Sequence, residues 1–170
     1  MDKIITTALL IVISIVMTLA LFNIAYPAII KGGDAITSMA NRADERMKTQ
    51  IAIIHAAGEL NGDGIWQDTN NDGDFEVFMW VKNVGTSRII GLDNIDVFFG
   101  TEGNFVRIPR QAAAGGGYPY WTAQLEDATD WSPTVTMEIA IHYHTPLTPG
   151  RYFGKVAVPA GVSSEYIWGM

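Results

Sequence analysis

Ile4-Ile5-Thr6-Thr7-Ala8-Leu9-Leu10-Ile11-Val12-Ile13-Ser14-Ile15-Val16-Met17-Thr18-Leu19-Ala20-Leu21-Phe22 contains no charged residue, and after Lys3 the next charge is Lys31. A helix through this stretch rises about 1.5 Å per residue, enough to cross a hydrocarbon layer of roughly 30 Å. It is apolar on every face, so it has to be buried in lipid or among copies of itself. The chain beyond the helical region is Gly-rich and β-patterned. One greasy helix carries one head.

Three roles suit such a helix. A cleaved secretory signal has a basic n-region, a shorter apolar core and a small-residue cleavage site. Here Met1-Asp2-Lys3 has side chains of zero net charge, the apolar core is too long, and Ala25-Tyr26-Pro27-Ala28 is a poor cleavage box. A permanent single-span anchor and a filament subunit whose helix packs in a polymer core both remain open.

The chain has 170 residues and a formal charge of −7. Residues 1–33 carry Asp2, Lys3 and Lys31, a net of +1, so the remainder holds −8. An acidic head argues against nucleic acid as a partner, since that needs clustered Lys and Arg. It also disfavours docking flat on an anionic membrane surface. The absence of cysteine excludes disulfides, thiol catalysis and thiolate metal sites. No Asn-x-Ser/Thr sequon occurs, which excludes ordinary N-glycosylation at the motif level.

Beyond Pro27 and Gly32-Gly33, the residues Ile36, Met39, Ala43, Met47, Ile51 and Ile54 recur at threes and fours. This period predicts one helix over 2–59, bent at Pro27 or Gly32-Gly33, and a helical domain 1–60 that is apolar over 4–30 and amphipathic over 34–60. Residues 61–170 form the head. Asn61 to Asp74 is a turn-rich loop, after which the period drops to two. Phe75, Val77, Met79 and Val81 take one face of a strand, with Glu76, Phe78, Trp80 and Lys82 on the other. Further strands fit residues 95–99, 104–108, 120–125, 134–144 and 151–158. Short strands between turn signals predict an α+β chain: a long hydrophobic helix, then a small antiparallel, Ig-like β-sandwich.

Few residues carry chemistry. Asp68-Thr69-Asn70-Asn71-Asp72-Gly73 matches the first half of a calcium loop, with hard oxygen donors at Asp68, Asn70 and Asp72. Position twelve is Met79 rather than a bidentate Glu, so Asp63, Asp74 or Glu76 would have to close the shell. Ca²⁺ at Asp68, Asn70, Asp72 and Asp74 stands against a plain Asx-rich turn, which uses the same residues. His142 and His144 share a strand face near Glu138, as ligands or as two exposed histidines. No nucleophile elbow, phosphate loop or oxidoreductase fingerprint occurs, and the chain reads as non-enzymatic. Phe78, Trp80 and Phe98 are apolar where a solvated sheet face would be polar, which makes them outer-interface candidates.

The stretch Val77-Phe78-Met79-Trp80-Val81-Lys82-Asn83-Val84-Gly85-Thr86-Ser87, followed by Leu92 to Phe99, resembles the strand, Lys-Asn-x-Gly, turn, Asp-Val-Phe strand pattern of archaellins. Archaellins belong to the wider type IV pilin-like class. Bacterial members typically carry a glutamate at the fifth mature position, where this chain has Ile5. No basic leader precedes the apolar run. The resemblance implies a homo-oligomeric helical surface filament for motility, inserted in the membrane before assembly. It implies a prepilin-type peptidase, an assembly ATPase and a membrane platform as partners. Ile4, Leu9, Leu10, Ile15, Val16, Leu19 and Phe22 would then form the filament-core interface. Sister proteins with the same layout supply the alternative: a membrane-anchored, stator-like or minor component with a sandwich head, or a cell-surface binding module.

Overall fold

The computed structural model describes residues 2–170. One helix, α1, runs unbroken from Asp2 to Lys48, about 70 Å at 1.5 Å per residue, and passes through Pro27 and Gly32-Gly33. Its apolar side chains stand exposed along the helix, among them Ile4, Leu9, Leu10, Ile15, Val16, Leu19 and Phe22, the last stacked on Tyr26 one turn on. Thr7, Ser14 and Thr18 turn their hydroxyls back onto the carbonyls of Lys3, Leu10 and Ser14, each at 2.8 Å. These polar groups are thus satisfied inside the helix, as a non-aqueous surrounding requires.

The chain divides into two compact units, residues 1–43 and 44–170. The second holds the last turn of α1 and eight strands: β1 Ile51–Gly58, β2 Phe75–Asn83, β3 Asp96–Thr101, β4 Asn104–Ile108, β5 Tyr120–Leu125, β6 Thr136–Tyr143, β7 Arg151–Ala157 and β8 Ser163–Gly169. They form two four-stranded antiparallel sheets, ordered β1-β2-β6-β5 and β4-β3-β7-β8. Alternating residues of the central strands β2, β3, β6 and β7 face inward. Val77, Met79, Val81, Met137, Ile139 and Ile141 of the first sheet meet Val97, Phe99, Tyr152 and Val156 of the second, all buried. Phe99 stacks on Tyr152 with centroids 5.4 Å apart and touches Tyr143 and Trp168. The expected sandwich is the observed one.

The expected helix over 34–60 is corrected at its end. Residues 51–58 are β1, not helix. A β-bulge at Ile54 shifts the register between Ile53 and His55, so the buried set is Ile51, Ile53 and Ala56. Ile51 and Ile54 follow Met47 at four and three, which continues the helical recurrence, yet Ile54 is the exposed residue of the bulge. The β-branched isoleucines favour the strand once β2 offers its edge. β8 has no sequence signal of its own beyond the alternation of Tyr166 and Trp168 against Glu165 and Ile167.

The Lys-Asn-x-Gly stretch explains how the helix ends. Lys48 O accepts the Thr86 and Ser87 amides at 2.9 and 3.2 Å, and Gln50 O accepts those of Val84 and Gly85. These bonds satisfy carbonyls that a helix C-terminus leaves open. Gly85 is required by close approach, since a Cβ there would lie 2.5 Å from Lys48 O. Asn83, fully buried, donates from Nδ2 to Ser87 O and Trp131 O and accepts the Gly85 amide. Arg46 Nε donates to Ala160 O at 3.1 Å, pinning the same helical turn to the β7–β8 connection. The last helical turn is bound firmly to the head.

Candidate functional site

At one end of the first sheet, β1 ends at Gly58 and β2 begins at Phe75, with the loop 59–74 between them. Glu59 and Glu76 flank this loop and both are buried, at 5% and 2% exposure. Glu59 Oε1 accepts the Thr69 amide and hydroxyl, both at 2.5 Å, while Oε2 accepts the Glu76 amide at 3.3 Å. Burial alone would raise the Glu59 pKa, but the bonds from Thr69 and from Glu76 outweigh it, and the group is held below its ordinary value. Glu76 moves the other way, to about 8, through burial first, then the hydrogen bond with the Glu59 side chain and the Glu59 charge.

The pairing register places Glu76 opposite His142 on β6, and His142 opposite Tyr120 on β5. This row crosses three strands on the outer face of the sheet. The Tyr120 ring stacks on the His142 imidazole with centroids 4.6 Å apart. His142 Nε2 lies 3.0 Å from Thr122 Oγ1. His142 Nδ1 lies 3.4 Å from Glu76 Oε1 and 3.5 Å from Asp74 Oδ2, and is buried without a hydrogen bond. Asp74, itself buried, accepts the Tyr118 hydroxyl at 2.5 Å and that of Tyr120 at 3.2 Å. The first of these bonds holds the Tyr118 proton and pushes its pKa to about 12.

The half calcium motif forms a tight Asx-rich turn. Asp68 accepts the Asp72 and Gly73 amides, Asn70 Oδ1 accepts that of Asp72, and Asp72 Oδ1 accepts that of Asp74. Gly73 takes the left-handed conformation at φ 91°. The Asp74 amide lowers the Asp72 pKa against the opposing effect of burial. Asn70 Nδ2 donates to Asp72 Oδ2 at 3.1 Å and to Glu76 Oε1 at 3.3 Å, which ties the loop to the strand row. Asp72, Glu76 and His142 each present one ligand atom, and these atoms lie within 4.8 Å of one another.

Other expected groupings resolve differently. His142 and His144 do not act as a pair: His142 joins Glu76, and His144 lies past the end of β6 against the Tyr118 ring. Glu138 faces Trp80 across the strands instead of a histidine. Asp63 sits near the loop tip, its amide bonded to Asn61 Oδ1. Phe78 and Trp80 lie together on the outer face of the first sheet, with Trp80 stacked on His55. Phe98 belongs to the second sheet, between Arg107 and Lys155, so the three aromatics do not make one patch. The Glu76–His142 pairing is not visible in the sequence, because 66 positions of chain separate the two and only the strand register joins them.

No known protein family matches the chain, and no curated protein matches it. Solved structures do. The archaellum periplasmic stator protein FlaG from Sulfolobus acidocaldarius superposes with a TM-score of 0.54 at 24% identity, covering 71% of this chain and 99% of that one. A structure of the FlaF and FlaG stator complex from the same organism gives 0.53 at 24% identity, covering 72% of this chain and 90% of that one. The chain has a FlaG-like fold.

Proposed function

We propose that this chain is a membrane-anchored, stator-like component of an archaellum-type motility apparatus, with α1 as its anchor and the sandwich standing in the cell envelope. The observation that carries the reading is the FlaG-like sandwich, matched over nearly the whole of FlaG. The helix supports it: residues 3–48 include a window of mean hydropathy 2.7 with none of it buried in the chain. Such a surface is stable in lipid without any partner. A stator has to transmit force, and the joint at Lys48, Asn83 and Gly85 couples the last helical turn stiffly to the head. The role is structural and not catalytic.

The neighbouring FlaF and FlaG form a complex, so the partner proposed here is a second sandwich protein of the same apparatus. Phe78 and Trp80 are the proposed contact on the first sheet. The filament reading, with helices packed as a homopolymer core, has weaker support, because the fold neighbours are stator proteins. Shearing cells and separating filaments from envelopes tests the choice. The proposal expects the chain in the envelope fraction, resistant to alkaline carbonate and released by detergent. Recovery as the main band of sheared filaments would overturn it.

A further inference from the structure

We propose that Asp72, Glu76 and His142 bind a divalent transition cation of the Zn²⁺ class, independently of the role assigned above. His142 Nδ1 is buried with no hydrogen-bond partner, and the Glu76 carboxyl it faces is 3% exposed. A buried polar atom with nothing to bond is costly, and native proteins rarely leave one so.

The geometry selects the occupant. His142 Nδ1 and Glu76 Oε1 are 3.4 Å apart. A charge-assisted N–H···O bond would bring them to about 2.8 Å, so a proton alone fits the gap poorly. Two ligands each about 2.1 Å from a tetrahedral Zn²⁺ lie about 3.4 Å apart, which fits it well. In the tautomer whose Nε2–H donates to Thr122 Oγ1, 3.0 Å away, Nδ1 presents its lone pair toward the carboxylates. A ligating histidine is commonly held this way by its second nitrogen. Asn70 Nδ2 bonds both acids and so fixes the Asp72 and Glu76 oxygens relative to one another. Asp72 is exposed, which leaves a path for the ion and room for water to complete the shell. An imidazole nitrogen among carboxylates suits Zn²⁺ and its neighbours, whereas Ca²⁺ prefers an all-oxygen shell.

The test uses the full chain in detergent micelles, purified without a polyhistidine tag, stripped with EDTA and titrated calorimetrically with Zn²⁺. One Zn²⁺ per chain is expected, with affinity at least 100-fold weaker in His142→Gln and Glu76→Gln and unchanged in His144→Gln. Co²⁺ should give visible d–d absorption in the unaltered chain and lose it in His142→Gln. Asp72→Asn, on the exposed loop, keeps the test sound if the buried variants unfold; it should melt normally and bind at least 10-fold more weakly. The proposal fails if there is no stoichiometric Zn²⁺, if Asp72→Asn binds as well as the unaltered chain, or if Ca²⁺ is bound in preference.

Discussion

Replacing Asn83 by alanine removes three hydrogen bonds at the point where helix, β2 and the 84–87 turn meet: to Ser87 O at 2.9 Å, to Trp131 O at 3.0 Å, and from the Gly85 amide at 3.0 Å. The loss is not the full cost of three stranded groups. Trp131 O still accepts the Ile89 amide, and the Gly85 amide still donates to Gln50 O. At about 1 kcal/mol for each net bond, with the unfilled volume of a fully buried side chain added, the loss is about 3–4 kcal/mol. For a unit of this size, 1 kcal/mol moves Tm by about 3–5 °C, so a fall of about 10–15 °C is expected. Asn83→Asp should be at least as severe, because it turns a carboxylate oxygen toward two carbonyls at a fully buried position. The assay is thermal melting of the full chain in detergent, followed by near-UV circular dichroism from the buried Trp121 and Trp131. A Tm loss below about 3 °C for both variants would refute the idea that Asn83 holds the joint together.

Gly85→Ala should lose at least about 2 kcal/mol in the same melts, since its Cβ would meet the Lys48 and Gln50 backbone. Gly154→Ala places a Cβ 2.7 Å from Met79 Sδ and 3.1 Å from the Trp168 ring, and overpacking should cost about 1–3 kcal/mol by urea titration. Ile15→Lys combined with Leu19→Lys puts two charges one turn apart within the apolar run and disfavours insertion by about 7 kcal/mol, read as loss from the carbonate-resistant membrane pellet. Trp80→Ser should leave the near-UV signal of the core intact and reduce co-purification with the envelope partner; unchanged co-purification would remove Trp80 from the contact.

How much of this can be read from residues alone depends on how local the cause is. The apolar run at 4–22 is decided by composition, and the alternation of Phe75 to Lys82 by its period, so both are legible. β1 is not, because Ile51 and Ile54 continue the threes and fours of the preceding helix, and only the bulge at Ile54 shows that the inward set is Ile51, Ile53 and Ala56. The loop acids are visible as a half motif. Their convergence on His142 is not, because it depends on which residue of β6 stands opposite Glu76. The Lys82-Asn83-Val84-Gly85 stretch is recognisable as a family resemblance, but its physical reason, a turn closing over a helix end, lies in contacts between segments that the sequence keeps apart.

The zero cysteine count makes the central claim directly measurable in cells. Single cysteines at Leu10, Ile15 and Leu19 can be oxidised in the intact envelope and their crosslinks resolved by gel after shearing. A lipid-facing anchor predicts uncrosslinked chain retained with the envelope at all three positions. Crosslinked dimers recovered in sheared extracellular filaments would show these side chains packed against other copies, and would contradict the account.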